Sequence, residues 1–164
     1  MPINGAAPTY HQSFRFFVEI EGVTRLRFKN CSELASEFET IEHYEGGVAI
    51  PNKTAGRMTF DDITLERGVV TGDFDLYEWH LQAGNPSISA PQGPGIGTGV
   101  GAGNGGYKRN LSIVQLDIDG SELRRWRVYG AWAKRFVVGA WDNDADEVTI
   151  ESVTLTYDFF EREL

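Results

Sequence analysis

Thiol chemistry is nearly absent from this chain. Cys31 is its one cysteine, which excludes an internal disulfide framework and gives no sign of an oxidising compartment. No apolar run is long enough to cross a bilayer, and the opening MPINGAAPTYHQ has neither the basic start nor the apolar stretch of a secretory signal. No membrane insertion is expected, and the sequons at Asn30, Asn52 and Asn110 read as chance. Cations are scarce beside anions: 15 Lys and Arg against 24 Asp and Glu leave a formal charge of −9, which disfavours tight binding of nucleic acid. The three histidines, His11, His43 and His80, lack metal-ligand spacing, so no metal or cofactor is expected. What remains is a chain of 164 residues, 41% hydrophobic, enough for one domain held by its own core.

The apolar residues fall mostly at period two. Phe14, Phe16, Val18 and Ile20 read as a strand, turned at Glu21-Gly22, with Leu26 and Phe28 on its hairpin partner. Residues 37–44 are extended, but Phe38, Ile41 and Tyr44 do not alternate cleanly. Residues 58–66 alternate again with a slip at Asp61-Asp62, where a β-bulge is expected. The one convincing helix follows, with Phe74, Tyr77 and Leu81 on a face flanked by Leu76, Trp79 and His80, stopped by Gly84 and Asn85-Pro86. Strands resume at 107–118 and 123–129, and the segment 131–141 has no clear pattern. The last strand carries Val148, Ile150, Val153, Leu155 and Tyr157 as its core face, with a second slip at Glu151-Ser152. The fold class is therefore mainly β: two packed antiparallel sheets, a sandwich or barrel, with one flanking α-helix. Residues 1–12 read as a loose arm and 93–106, GPGIGTGVGAGNGG, as a flexible low-complexity insertion.

Signals of chemistry are weak. The GxGxxG at 101–106 follows a helix and precedes a strand, the reverse of a dinucleotide-binding context. Asp142, Asn143, Asp144 and Asp146 begin like a calcium loop, but Glu147 and Val153 stand where glycine and glutamate are needed. Arg124, Arg125 and Arg127 around Trp126 read as an ion-pairing surface in so acidic a chain. No catalytic constellation emerges, and we expect no enzyme. The polar faces carry more information. Thr59, Asp61, Thr64 and Glu66 on one strand, and Thr149, Glu151, Thr154, Thr156 and Asp158 on the last, include no cation, which makes an anion-repelling surface.

The order FRFFVEIEG, FKNCSELASEFETIEHYEGG, ITLERG before LYEWH, then RNLSIVQLDIDG, RRWRVYGAWAKRF and EVTIESVTLTYD resembles the tail tube proteins of contractile phage tails and phage-tail-like injection systems, including the Hcp proteins. No single element is diagnostic, but the ordered set covers nearly the whole chain. The resemblance implies a single tail-tube domain over 1–164 with the Hcp-like fold, and a homo-hexamer whose rings stack into a hollow tube. It implies partners in a sheath protein and in baseplate and tail-terminator proteins. DNA or effector cargo would pass through the lumen without tight binding, and the particle would be assembled in the bacterial cytoplasm. It further implies that the loop of Glu45, Gly46, Gly47, Val48, Ala49, Ile50, Pro51, Asn52, Lys53, Thr54, Ala55, Gly56 and Arg57 reaches the next ring. The cation-free faces would then line the lumen. The alternative is a monomeric β-sandwich module binding a ligand or carbohydrate through its long loops.

Overall fold

The computed structural model describes residues 15–21, 23–69, 72, 74–84, 107–144 and 146–163. The arm at 1–12 and the insertion at 93–106 lie outside the described residues. In chain order the described elements are β1 (Phe16–Ile20), β2 (Val23–Leu26), β3 (Asn30–Cys31), β4 (Ser36–His43), β5 (Asn52–Phe60) and β6 (Ile63–Gly68), then α1 (Asp75–Gly84), β7 (Arg109–Leu116), β8 (Glu122–Gly139), β9 (Ile150–Thr156) and β10 (Phe159–Arg162). All pairings are antiparallel.

The organising strand is β8. Its first half pairs with β7 and β10, and its second half pairs with β9, so one strand belongs to two sheets. The first sheet runs β2-β1-β7-β8 with β10 on the other side of β8; the second runs β8-β9-β6-β3. Their inner faces meet in one core, to which Val18, Ile20, Leu111 and Val128 come from the first sheet and Ile63, Leu65, Val153 and Leu155 from the second. Each such side chain, fully buried, contributes roughly 1.5–3 kcal/mol. The segment 131–141, without a clear pattern in the sequence, is largely the second half of β8.

The bend lies at Gly130. Between Arg109 opposite Ala131 and Leu111 opposite Val128, β8 has one residue more than β7, a bulge of the kind that turns a strand from one sheet into another. Gly130 has φ +64°, donates its N–H to Asn110 Oδ1 at 3.2 Å, and a Cβ there would meet Asp158 Oδ2 at 2.1 Å. Gly130→Ala should therefore lower stability by about 1–3 kcal/mol, from backbone strain and from expelling the Asp158 side chain. Gly139→Ala, whose Cβ would meet only Val137 Cγ1 at 3.7 Å, is the control in the same strand. Urea denaturation of both variants checks the difference.

Three expectations about local structure are corrected. The slip at Asp61-Asp62 is not a bulge but a change of strand: β5 ends at Phe60, β6 begins at Ile63, and the two lie in different sheets. No slip occurs at Glu151-Ser152 either, because β9 pairs with β6 in unbroken register from Ile150 opposite Gly68 to Leu155 opposite Ile63. Finally, α1 buries Leu76, Trp79 and Gln82, while Phe74 and Tyr77 face outward. Trp79 fixes that rotation, since its indole N–H donates to the Tyr107 carbonyl at 2.7 Å and Arg109 lies over its ring.

Candidate assembly surface

Strands β4 and β5 pair only with each other among the described strands, and all eight residues of β4 are exposed. They form a hairpin that projects from the body. Its base is fixed where Phe60 packs on Tyr157 and Phe160, with ring centroids 6.0 and 5.5 Å away. Asp61 N–H donates to the Ala35 carbonyl at 3.1 Å, and Lys134 pairs with Asp62 at 2.9 Å. Burial, with Asp61 and Asp62 nearby, pushes the Tyr157 hydroxyl up to about 12, so its ring serves as neutral packing. At the tip, Val48 N–H donates to the Glu45 carbonyl at 3.1 Å across a turn that Gly47 closes with φ +87°.

The segment 45–57 is therefore only partly a loop. Glu45, Gly46, Gly47, Val48, Ala49, Ile50 and Pro51 form the connection, whereas Asn52, Lys53, Thr54, Ala55, Gly56 and Arg57 belong to β5. The sequence between two breakers read as loop because β5 has no apolar alternation until Met58.

Register divides the hairpin into two faces. Ser36 opposes Phe60, Phe38 opposes Met58, Thr40 opposes Ala55, and Glu42 opposes Lys53. These pairs share the side on which Phe60 enters the core. Tyr44, whose hydroxyl donates to Glu42 Oε2 at 3.1 Å, extends that side toward the tip. Glu37 with Thr59, Ile41 with Thr54, and His43 with Asn52 point the other way. Between Met58 and Ala55, β5 carries an extra residue, so Arg57 and Gly56 together face Glu39. Only glycine fits at 56 without a shift, because a Cβ would meet Glu39 O and Ile41 Cγ1 at 3.0 Å. One face thus carries an apolar pair, Phe38 and Met58, between Phe60 and the Glu42–Lys53 ion pair at 3.9 Å, and beyond Phe60 it is uncovered: Phe38 is 55% exposed and Met58 42%. The other face is mainly polar.

The residues expected to line a lumen do not form one surface. Thr64 and Thr154 stand opposite each other on the outer face of the second sheet, with their hydroxyl oxygens 3.4 Å apart. Glu66, opposite Ser152, and Thr156, opposite Trp132, share that face. Arg135, opposite Thr154, brings a cation to it. Thr59 lies on the polar side of the hairpin, and Thr149 precedes β9, accepting the Val69 N–H. Asp61 and Asp158 sit in turns, Asp158 paired with Lys108 at 3.3 Å.

Glu151 is the clear correction. It is 6% exposed and ion-paired with Arg67, itself 5% exposed, on the core face of β6 and β9. Val148 moves the opposite way: expected in the core, it is 73% exposed. Alternation explains the first exchange. Glu151 continues Val153, Leu155 and Tyr157, and Arg67 continues Ile63 and Leu65, so strand geometry places both inside, where each charge answers the other.

The remaining candidates resolve simply. Arg125 bridges Glu19 at 2.9 Å and Glu122 at 2.6 Å, which raises its pKa further, and Arg127 lies over the Tyr129 ring. That cluster is an ion-pairing surface. Burial pushes the Cys31 thiol up to about 11, which leaves little thiolate at neutral pH. Among the described residues no group of three His, Cys, Asp or Glu could hold a metal ion, and no helix is long and apolar enough to cross a membrane.

Among the described residues, the body is mainly β, two antiparallel sheets with one helix, and a hairpin of exposed strands projects from it. The chain belongs to the T4-like virus tail tube protein gp19 family, whose model matches residues 12–161. It is a structural tail tube protein, a component of a phage tail or injection-system particle. No curated protein shows a significant match to it. Its fold is similar to a chain of the anti-feeding prophage tube-terminating cap, at 24% identity over 99% of each chain and a TM-score of 0.76. A chain of the sheath-tube complex of the extracellular contractile injection system PVC has 23% identity over 96% of this chain and 93% of its own, with a TM-score of 0.73. Hcp1 from Flavobacterium johnsoniae has 12% identity over 90% of this chain and 94% of its own, with a TM-score of 0.52.

Proposed function

We propose that copies of this chain close into hexameric rings that stack into the hollow inner tube of a contractile particle, and that the hairpin joins each ring to the next. The observation that carries this is the hairpin's uncovered apolar face in a protein of the tail tube family. A heterologous contact of this kind, one surface against a different one, generates rings when it closes and rods when it does not. A sheath outside the tube, and baseplate and terminator proteins at its ends, are the partners proposed, as the sheath-tube, baseplate and cap assemblies of similar fold support. The role is mechanical rather than catalytic, with assembly in the bacterial cytoplasm.

In this reading Thr64, Glu66, Thr154 and Thr156, together with Thr59 on the polar side of the hairpin, face the lumen. Hydroxyls and scattered carboxylates give a DNA or effector cargo few cations to bind. Glu151 takes no part, being inside the subunit.

The test is assembly. Purified protein should form hollow rods of uniform width in negative stain. Replacing residues 41–54 by an Asn-Gly turn keeps Thr40 opposite Ala55 as the last pair of a shorter hairpin. That variant should fold, by circular dichroism, and fail to lengthen rods. A wild-type chain that stays monomeric at high concentration would instead support an isolated binding module.

A further inference from the structure

We infer that Arg135 of one copy pairs with Glu66 of the next where their second sheets meet, so that ring closure neutralises the cation. This rests on the assembly reading above and names a contact that closes the ring.

The charges left over on the sheet point to it. Among the paired residues of the second sheet the charged side chains are Glu66, Arg67, Lys134, Arg135 and Glu151. Arg67 and Glu151 hold each other on the core face, and Lys134 pairs with Asp62 at 2.9 Å. Arg135 and Glu66 remain, both on the outer face. Arg135 stands opposite Thr154, in the row of Thr64, and Glu66 stands opposite Ser152, in the next outer row with Val137 and Asn30. Arg135 is exposed and Glu66 half-buried, and neither charged group has a partner among the described residues. Within one copy they lie two strands apart and one row out of step. A lone cation on this face would also give each subunit a fixed charge that retains a polyanion in the lumen.

Sheet topology brings a second Glu66 within reach. The sheet runs β8-β9-β6-β3 with every pairing antiparallel. Beyond Ala131 no described strand pairs with the other side of β8, and none pairs with the far side of β3. Lys29 and Ser32 N–H groups donate to the Glu66 and Thr64 carbonyls at 2.7 and 2.9 Å, which holds that edge extended on both sides of β3. With an even number of alternating strands, the two free edges run in opposite directions. Rotation about an axis along the strands keeps every strand's direction, so it lays β3 of one copy antiparallel beside β8 of the next. Each open edge then covers the other.

Across that seam Glu66 stands one strand behind the edge, two strand spacings or about 10 Å from β8. Lys134 and Asp62 already bridge from β8 to the start of β6 over β9. Closing a sheet into a barrel tilts its strands and staggers the seam. Side chains alternate between faces, so a stagger of two residues is the smallest that keeps the polar face continuous, and it sets Arg135 level with Asn30 and Glu66.

Mixing charge-reversed subunits tests this. Arg135→Glu meets an unchanged Glu66, and Glu66→Arg meets an unchanged Arg135. Each variant alone should fold, by circular dichroism, and should need at least about 10-fold more protein than wild type to form rods. An equimolar mixture should assemble near the wild-type threshold into rods holding both variants 1:1, because a hexameric ring can alternate the two and pair every seam. A pair made inside one subunit would gain nothing from mixing. If Arg135→Glu assembles like wild type, or the mixture is as inert as its parts, the inference fails while the assembly reading stands. Wild type that forms neither rings nor rods overturns both. Should either reversal misfold, Arg135→Gln and Glu66→Gln decide: each should raise the threshold, and the two in one chain should raise it no further than either alone. Additive effects would reject the pair.

Discussion

Glu151→Ala is expected to remove roughly 3–5 kcal/mol from the subunit's stability, the cost of leaving Arg67 charged, buried and without its carboxylate. That is a large share of the 5–15 kcal/mol by which a domain of this kind is stable. Both side chains lie on the core face, at the end of the apolar rows made by Ile63 with Leu155 and Leu65 with Val153. Arg67→Ala should cost a similar amount, and Glu151→Lys should abolish folding, since two cations would then share one dry site. The informative variant removes both charges. Arg67→Met with Glu151→Leu replaces the pair with apolar groups of similar length and should come within about 1 kcal/mol of wild type, or exceed it. Urea denaturation of the singles and the double closes the cycle. If Glu151→Ala melts like wild type, the pair is not buried in solution, and Glu151 returns to the list of surface carboxylates.

The same pair shows how the sequence was legible and where it misled. Alternation alone identified the core residues of β6 and β9, because period two needs no partner to be seen. A charged residue at a core position breaks the pattern unless its partner is known. Taken strand by strand, Arg67 looked like the end of one strand and Glu151 like the outer face of another. Only their pairing across the sheet, 84 residues apart in sequence, makes both positions sensible. A usable signal existed: two strands whose apolar alternation each continues into one residue of opposite charge. The rotation of the helix is illegible in the sequence for a related reason. Phe74, Tyr77 and Leu81 make a plausible apolar face, but the Trp79 indole needs a buried acceptor, and the Tyr107 carbonyl supplies it from beyond the glycine-rich segment. The long β8 was hidden because its continuation depends on the bulge at Gly130, which only the Asn110 and Asp158 side chains make intelligible. Val148 and Ile150 mislead in the opposite sense: both are apolar and read as core, yet Val148 is 73% exposed and Ile150 stands between Gly68 and Gly139 on the outer face.

Phe38→Asp is expected to abolish rod formation while leaving the subunit's stability within about 0.5 kcal/mol of wild type. The two halves of that statement follow from one fact. Phe38 is more than half exposed on a hairpin whose residues touch the body only at the base, so the folded subunit loses little when it changes. In an assembled rod the same ring, paired with Met58, is an exposed aromatic side chain of the apolar pair, and aromatic anchors at interface centres carry about 2–4 kcal/mol each. A loss of that size raises the concentration needed for assembly by roughly 30- to 1000-fold. A carboxylate placed in a contact that excludes water adds a desolvation cost to it. The matched control is Thr59→Asp, one residue along from Met58 and opposite Glu37, on the polar face. It adds the same charge at the same height on the hairpin, yet should leave the assembly threshold within a few-fold of wild type. Sedimentation of rods across a concentration series measures both thresholds. Were Thr59→Asp to block assembly and Phe38→Asp to permit it, the hairpin would dock by its polar side, and the apolar face would need another cover.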